Sequence, residues 1–148
     1  MEYMKASSIN SKMLSRQPKG IPMILCSADS RDSIKFSDAG YITVSLNAKL
    51  SAALIKFQPE IRYLEVLTEL QQILLECGEA ILLTDYEMLF DPRYGLDVLK
   101  VFCDLSRQVR LAVIWCGFCY NEVLEYSEQQ YSDYHRYEIS KYNVVCFK

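Results

Sequence analysis

Three short runs, IPMILC (residues 21–26), AILLTDYE (80–87) and RLAVIW (110–115), offer almost no polar position until they end. A strand with one wet face alternates polar and apolar residues, whereas a run without alternation must be covered on both sides. Such strands belong in a parallel sheet held between helices. The intervening segments fit that demand. YITVSL (41–46) is β-branched, follows Gly40 and reads as another strand. Leu46, Leu50, Ala53, Leu54 and Phe57 then recur at helical spacing until Pro59 stops the pattern. Ile61, Leu64, Leu67, Leu70, Ile73, Leu74 and Cys77 mark a second amphipathic helix, closed by Gly78. DVLKVFCDLSR (97–107) is a third, with Val98, Val101, Phe102 and Leu105 on one side. YNVVCFK closes the chain as a last strand. The predicted fold class is therefore α/β, a three-layer sandwich around a mostly parallel sheet. Residues 1–20, polar and Ser-rich, read as a flexible arm or a short marginal helix, and 21–148 as a single domain.

Ligands in open α/β sheets sit beyond the C-terminal ends of the strands. That directs attention to CSADSRDS (26–33), to the acids after the third run, and to WCGFC (115–119). Asp85 and Glu87, at the end of an apolar strand, have the form of a Walker B segment, in which one acid holds magnesium and another orients the attacking water. The same pattern arises when acids are simply solvated at a strand end. A Walker A loop, G-x-x-x-x-G-K-[ST], needs glycines to wrap amides around phosphate and a Lys to reach it. Laid on 26–33, Cys26 and Arg31 stand where the glycines should be, Asp32 where the Lys should be, and only Ser33 agrees. Asp29 and Asp32 would set negative charge against a polyphosphate. The loop has a phosphate loop's position without its chemistry, so no cofactor is expected.

ILLTDYEMLFDPRYGLDVLKVFCDLSRQVRLAVIWCG followed by LEYSEQQYSDYHRY resembles the small P-loop component of type 3 BREX systems, a bacterial anti-phage defence. The elements that carry the resemblance are Glu87, Leu89-Phe90-Asp91-Pro92, Leu105-Ser106-Arg107, Trp115-Cys116-Gly117, Leu124-Glu125-Tyr126 and Asp133-Tyr134-His135-Arg136-Tyr137. It covers the C-terminal half by motif and the N-terminal half by layout. It implies a P-loop NTPase-like fold with a degenerate Walker A, Asp85 as the metal-side acid and Glu87 as the catalytic one. Arg107 would match a sensor or finger arginine, although a cation at a helix C-terminus also favours the helix dipole. Partners would be other defence-system proteins or further copies of the chain.

The tail YSEQQYSDYHRYEISKYN places Tyr126, Tyr131, Tyr134 and Tyr137 close together. Tyrosine is enriched at protein interfaces, so these are candidate partner-binding residues, with packing over the sheet edge the alternative. They could stack nucleic-acid bases, but Glu125, Glu128, Asp133 and Glu138 are interspersed, and the net charge of -3 argues against autonomous DNA binding. His135 reads as a packed or surface residue.

Cys116 and Cys119 give WCGFC the look of a thioredoxin centre. That chemistry needs a Cys of lowered pKa at a helix N-terminus and a proline opposite it, yet no proline follows Pro92. Zinc would need two further ligands from Cys146, Cys103 or His135, at no recognisable spacing. The motif reads as a strand-to-loop turn. No run reaches the ~20 apolar residues of a membrane span and no secretory signal is evident, which leads to a cytoplasmic expectation with reduced thiols. The function expected is a non-catalytic, P-loop-derived subunit of a BREX-like defence complex. The alternatives are an ATPase active only in an assembly, using ATP and magnesium at Asp85 and Glu87, and a nucleic-acid-binding module using the tyrosine tail.

Overall fold

The structure is a computed structural model that describes residues 3–148. Along the chain the elements are α1 (Ser11–Ser15), β1 (Met23–Leu25), α2 (Ser30–Asp38), β2 (Ile42–Ser45), α3 (Leu46–Leu54), α4 (Arg62–Cys77), β3 (Ala80–Thr84), α5 (Val98–Leu105), β4 (Arg110–Ile114), β5 (Phe118–Tyr120), β6 (Val123–Tyr126), β7 (His135–Glu138) and β8 (Val145–Phe147). The apolar runs become a five-stranded sheet in the order β2-β3-β4-β1-β8, with every pairing parallel. Ile24 sits opposite Val113 on one side and Cys146 on the other.

Because side chains alternate across a strand, the two faces feed two clusters. Ile24, Ile81, Leu83, Leu111 and Val113 join α3, α4 and α5, while Met23, Leu25, Leu82 and Ala112 join Leu14 of α1 and Phe36 of α2. Helices thus cover both faces, giving the three-layer α/β arrangement. Each fully buried Leu, Ile or Phe contributes about 1.5–3 kcal/mol, and α5 alone buries Val98, Leu99, Val101, Phe102 and Leu105.

Several details depart from the sequence reading. The stretch after β1, read as a loop, turns into α2 within four residues. α4 is helical as expected but rotated: Val66, Leu70 and Leu74 are buried, whereas Leu64 and Leu67 are 60% and 48% exposed. The tyrosine-rich segment builds a second sheet, antiparallel, in the order β5-β6-β7. Its first hairpin turns through Asn121 and Glu122, both at positive φ (44° and 62°), which is the signature of a twisted two-residue turn. In the N-terminal twenty residues, Ile9 and Leu14 are buried, and Met4 exchanges backbone hydrogen bonds with Cys146 and Lys148. Among the described residues no helix is long and apolar enough to cross a membrane.

Candidate functional site

The exit of β1 leads to α2 on one face of the sheet. The exit of neighbouring β4 leads to the small sheet, whose Leu124 and Tyr137 join the cluster on the other face. Adjacent strands that leave in opposite directions open a crevice at their C-terminal ends, the ordinary ligand position of such folds. Cys26, Asp29 and Asp32 lie on its β1 side, and Cys116 and Cys119 on its β4 side. Asp85 and Glu87 lie one strand further on, beyond β3.

The start of α2 is closed by its own side chains. Asp29 is the N-cap, and its Oδ1 accepts from the amides of Arg31 (2.8 Å) and Asp32 (3.1 Å). Asp32 Oδ2 accepts in return from the Asp29 amide at 3.0 Å, completing a capping box. Amides at a helix start are what a phosphate would engage; here three are already taken, and two carboxylates stand in front of them. The backbone amide of Asp32 and the side chain of Arg31 hold the Asp29 carboxyl below its ordinary range. Arg31 is exposed and spans back to Asp29 Oδ2 at 3.2 Å, and the Ser33 amide bonds the Asp29 carbonyl inside the first turn.

The two acids after β3 face away from β1. Asp85 takes a left-handed conformation (φ 51°), and its carboxylate accepts from the Ser45 hydroxyl at 2.6 Å. Glu87 Oε2 accepts from Asn47 Nδ2 at 2.8 Å, while Asn47 Oδ1 receives the Met88 amide. Ser45 and Asn47 belong to β2 and α3, on the opposite side of β3 from β1. Between the acids, Tyr86 is fully buried: its hydroxyl donates to the Ile114 carbonyl (2.7 Å) and accepts from the Cys116 amide (3.1 Å). Burial holds its phenol well above the ordinary range. Tyr86 escaped the sequence reading, and its only signal was an aromatic residue between two acids at a strand end. Glu87, Asp91 and Asp133 line a hollow of about 510 Å³ whose charge repels an anion. Arg107 is not part of this region. It follows α5 and precedes β4, so it lies at the N-terminal end of the sheet, roughly a strand length (about 17 Å) from the acids. There it lines a hollow with Asp97, Lys100, Asp104 and Tyr142.

The tyrosines of the tail divide. Tyr137 is 5% exposed, accepts from the Val98 amide at 3.0 Å and packs edge-on against Trp115. Tyr126 stacks on Phe90 with ring centres 3.9 Å apart, and His135 meets the same Phe90 ring. Tyr134 donates to Glu125 Oε2 at 2.5 Å. Tyr131, at 58% exposure, is the member left facing water.

At WCGFC, the Trp115 indole N–H donates to the Glu125 carbonyl at 3.1 Å. Gly117 approaches the same carbonyl so closely that a Cβ there would stand 1.9 Å from its oxygen. All six cysteines are free. The Cys119 thiol contacts Cys26 rather than forming a centre with Cys116. The hydrogen bond to Cys26, with burial, pushes Cys119 above the ordinary thiol range. Cys26 is lowered by that bond but raised more by its bond to Cys146 and by burial, ending at about 12. Burial likewise lifts Cys116 to about 12. Protonated thiols are poor nucleophiles. Among the described residues no group of His, Cys, Asp or Glu side chains is disposed to hold a metal ion.

No family model, no curated protein and no solved structure matches this chain.

Proposed function

We propose that this chain is a non-catalytic, P-loop-derived subunit that acts through protein contacts. The observation that supports this reading above all is the closed start of α2. At the position of a phosphate loop, Asp29 and Asp32 consume the helix-start amides and present charge of the wrong sign. The parallel sheet, with β1 inside it and a crevice between β1 and β4, is consistent with descent from a nucleotide-binding fold. The resemblance of the C-terminal half extends the proposal to a BREX-like anti-phage complex directed at DNA, with other defence proteins as partners.

α4 is the surface best suited to such contacts. Ile61, Leu64 and Leu75 are 42–60% exposed along it, on the side away from the Val66, Leu70 and Leu74 that it buries, while Leu67, 48% exposed, lies beside Val101 and Leu105 of α5. Charged neighbours at its margins are Glu60, Glu65 and Glu76, while Arg62 donates through Nε to the Phe57 carbonyl at 3.0 Å and Lys56 is committed to Glu69 at 2.9 Å. An apolar stripe with acidic margins fits a helix with basic margins.

Calorimetry of the isolated protein with magnesium-ATP should give no binding heat, and a micromolar affinity would overturn the proposal. Co-purification from the protein's own cells should yield a complex that the double substitution Leu64→Gln, Leu75→Gln releases. A complex that hydrolyses ATP and loses the activity in Glu87→Gln would mark the chain instead as an ATPase completed by its partners. The acids at the end of β3 favour that second reading.

A further inference from the structure

On the face of the sheet covered by α1 and α2, Phe36 of α2 packs with Leu82 of β3 and Ala112 of β4. Above β8 and the neighbouring part of β1 the cover is thin, made of residues 4–10, the five-residue α1 and the turn that follows it. This leaves a cavity of about 340 Å³. Its floor is Met23, Val145 and Phe147, its walls are Met13, Pro18 and Ile21, and Met4 and Arg16 stand at its margin. The volume lies within the range of small-molecule sites. Flexible thioethers on three sides let such a cavity adapt to apolar ligands of different shape.

Its polar lining is nearly all occupied internally. The buried Gln17 donates through Nε2 to the Leu111 carbonyl at 2.7 Å and accepts from the Tyr41 hydroxyl through Oε1. Arg16 is the one charged lining residue: the lining is almost wholly apolar, so its stem lies against the cavity, while its exposed guanidinium, within side-chain reach of the margin, pairs with no carboxylate among the described residues. An apolar hollow with an uncommitted cation at its edge matches a ligand with an apolar body and a single anionic end.

We infer that this cavity binds a small amphipathic carboxylate, its medium-length hydrocarbon body lodged among Met13, Met23, Ile21 and Phe147 and its carboxylate at Arg16. The site lies on the face opposite α4 and does not depend on the proposed function.

Calorimetry with octanoate, octanol and octylammonium provides the test, since the three share a body and differ in the head. Octanoate should bind at one per chain, octanol about fivefold more weakly, as befits a solvent-exposed ion pair, and octylammonium more weakly still. Arg16→Gln should bring octanoate down to the octanol affinity and leave octanol unchanged. Met13→Trp, which places an indole in the cavity, should abolish binding of both, with its unfolding midpoint checked against the parent protein. The Arg16→Gln comparison is decisive even if Met13→Trp fails to fold, because Arg16 is exposed. Equal affinity for the three heads, octanoate binding unchanged in a folded Met13→Trp protein, or no saturation by about 1 mM would each overturn the inference.

Discussion

At the scale of single residues, the meeting of Trp115 and Gly117 on one carbonyl is the closest approach at any glycine of the chain. The carbonyl of Glu125 receives the indole N–H of Trp115 and abuts the bare Cα of Gly117. One polar atom of β6 therefore fixes both the end of β4 and the start of the second sheet. Any side chain at position 117 has to displace backbone rather than a flexible group. Gly117→Ala should therefore destabilise the protein by about 3 kcal/mol, at the upper end for overpacked sites, as read from the urea midpoint. Ser substitution of Cys116 should cost far less, and equal losses at the two positions would contradict this account. The sequence showed that Trp and Gly bounded a strand. It could not show that both address position 125, because that contact depends on how the hairpin folds back.

At the scale of elements, α2 and α4 show where sequence patterns inform and where they mislead. The segment that becomes α2 buries little besides Phe36 and Asp32, so its apolar periodicity is weak. Its start was nevertheless written in the acid pair Asp29 and Asp32, three residues apart, a spacing that serves as a reciprocal cap. Set against the needs of phosphate binding, that pair reads as a missing site rather than as a helix start. In α4 the difficulty is the reverse: apolar residues surround much of the helix, and periodicity alone cannot choose which stripe faces inward. Tertiary packing chooses Val66, Leu70 and Leu74. Leu70→Ala should then cost about 2–5 kcal/mol, while Leu64→Gln should stay within about 0.5 kcal/mol, as for a surface change. Chemical denaturation of the two variants separates them, and a large loss at Leu64 would mean that it is covered. The antiparallel sheet was hidden for another reason. Its strands are three or four residues long, and its first turn uses Asn-Glu where glycine would have announced it.

At the scale of the whole molecule, the thiols join parts that sequence keeps apart. Cys26 leaves β1, Cys119 lies in β5 and Cys146 in β8, and the three thiols lie near enough to shift one another's ionisation. Cys26 and Cys116 stay protonated in the folded protein to about pH 12, whereas an unfolded thiol ionises near its ordinary value of 9.0. The unfolded chain therefore releases protons first as pH rises, and linkage makes stability fall over that interval. The urea midpoint should be insensitive to these groups below about pH 9 and decline between about 9 and 12. Cys26→Ala should make the decline shallower, and a midpoint that holds level to pH 12 would refute the assignment. The parallel sheet and its two covering layers were legible because runs without alternation permit little else. The thiol contacts were not, since they require the order in which strands assemble.

That order has a consequence for the chain as it is made. β1 leaves the ribosome well before either of its neighbours: Met23 pairs with Ala112 and with Val145. Until those residues emerge, β1 carries two open edges and an apolar surface on each face, the condition that invites pairing with other chains. Slow translation of the second half would lengthen that exposure, so synthesis rate and chaperone supply should govern the yield of this protein more than the stability of its finished fold.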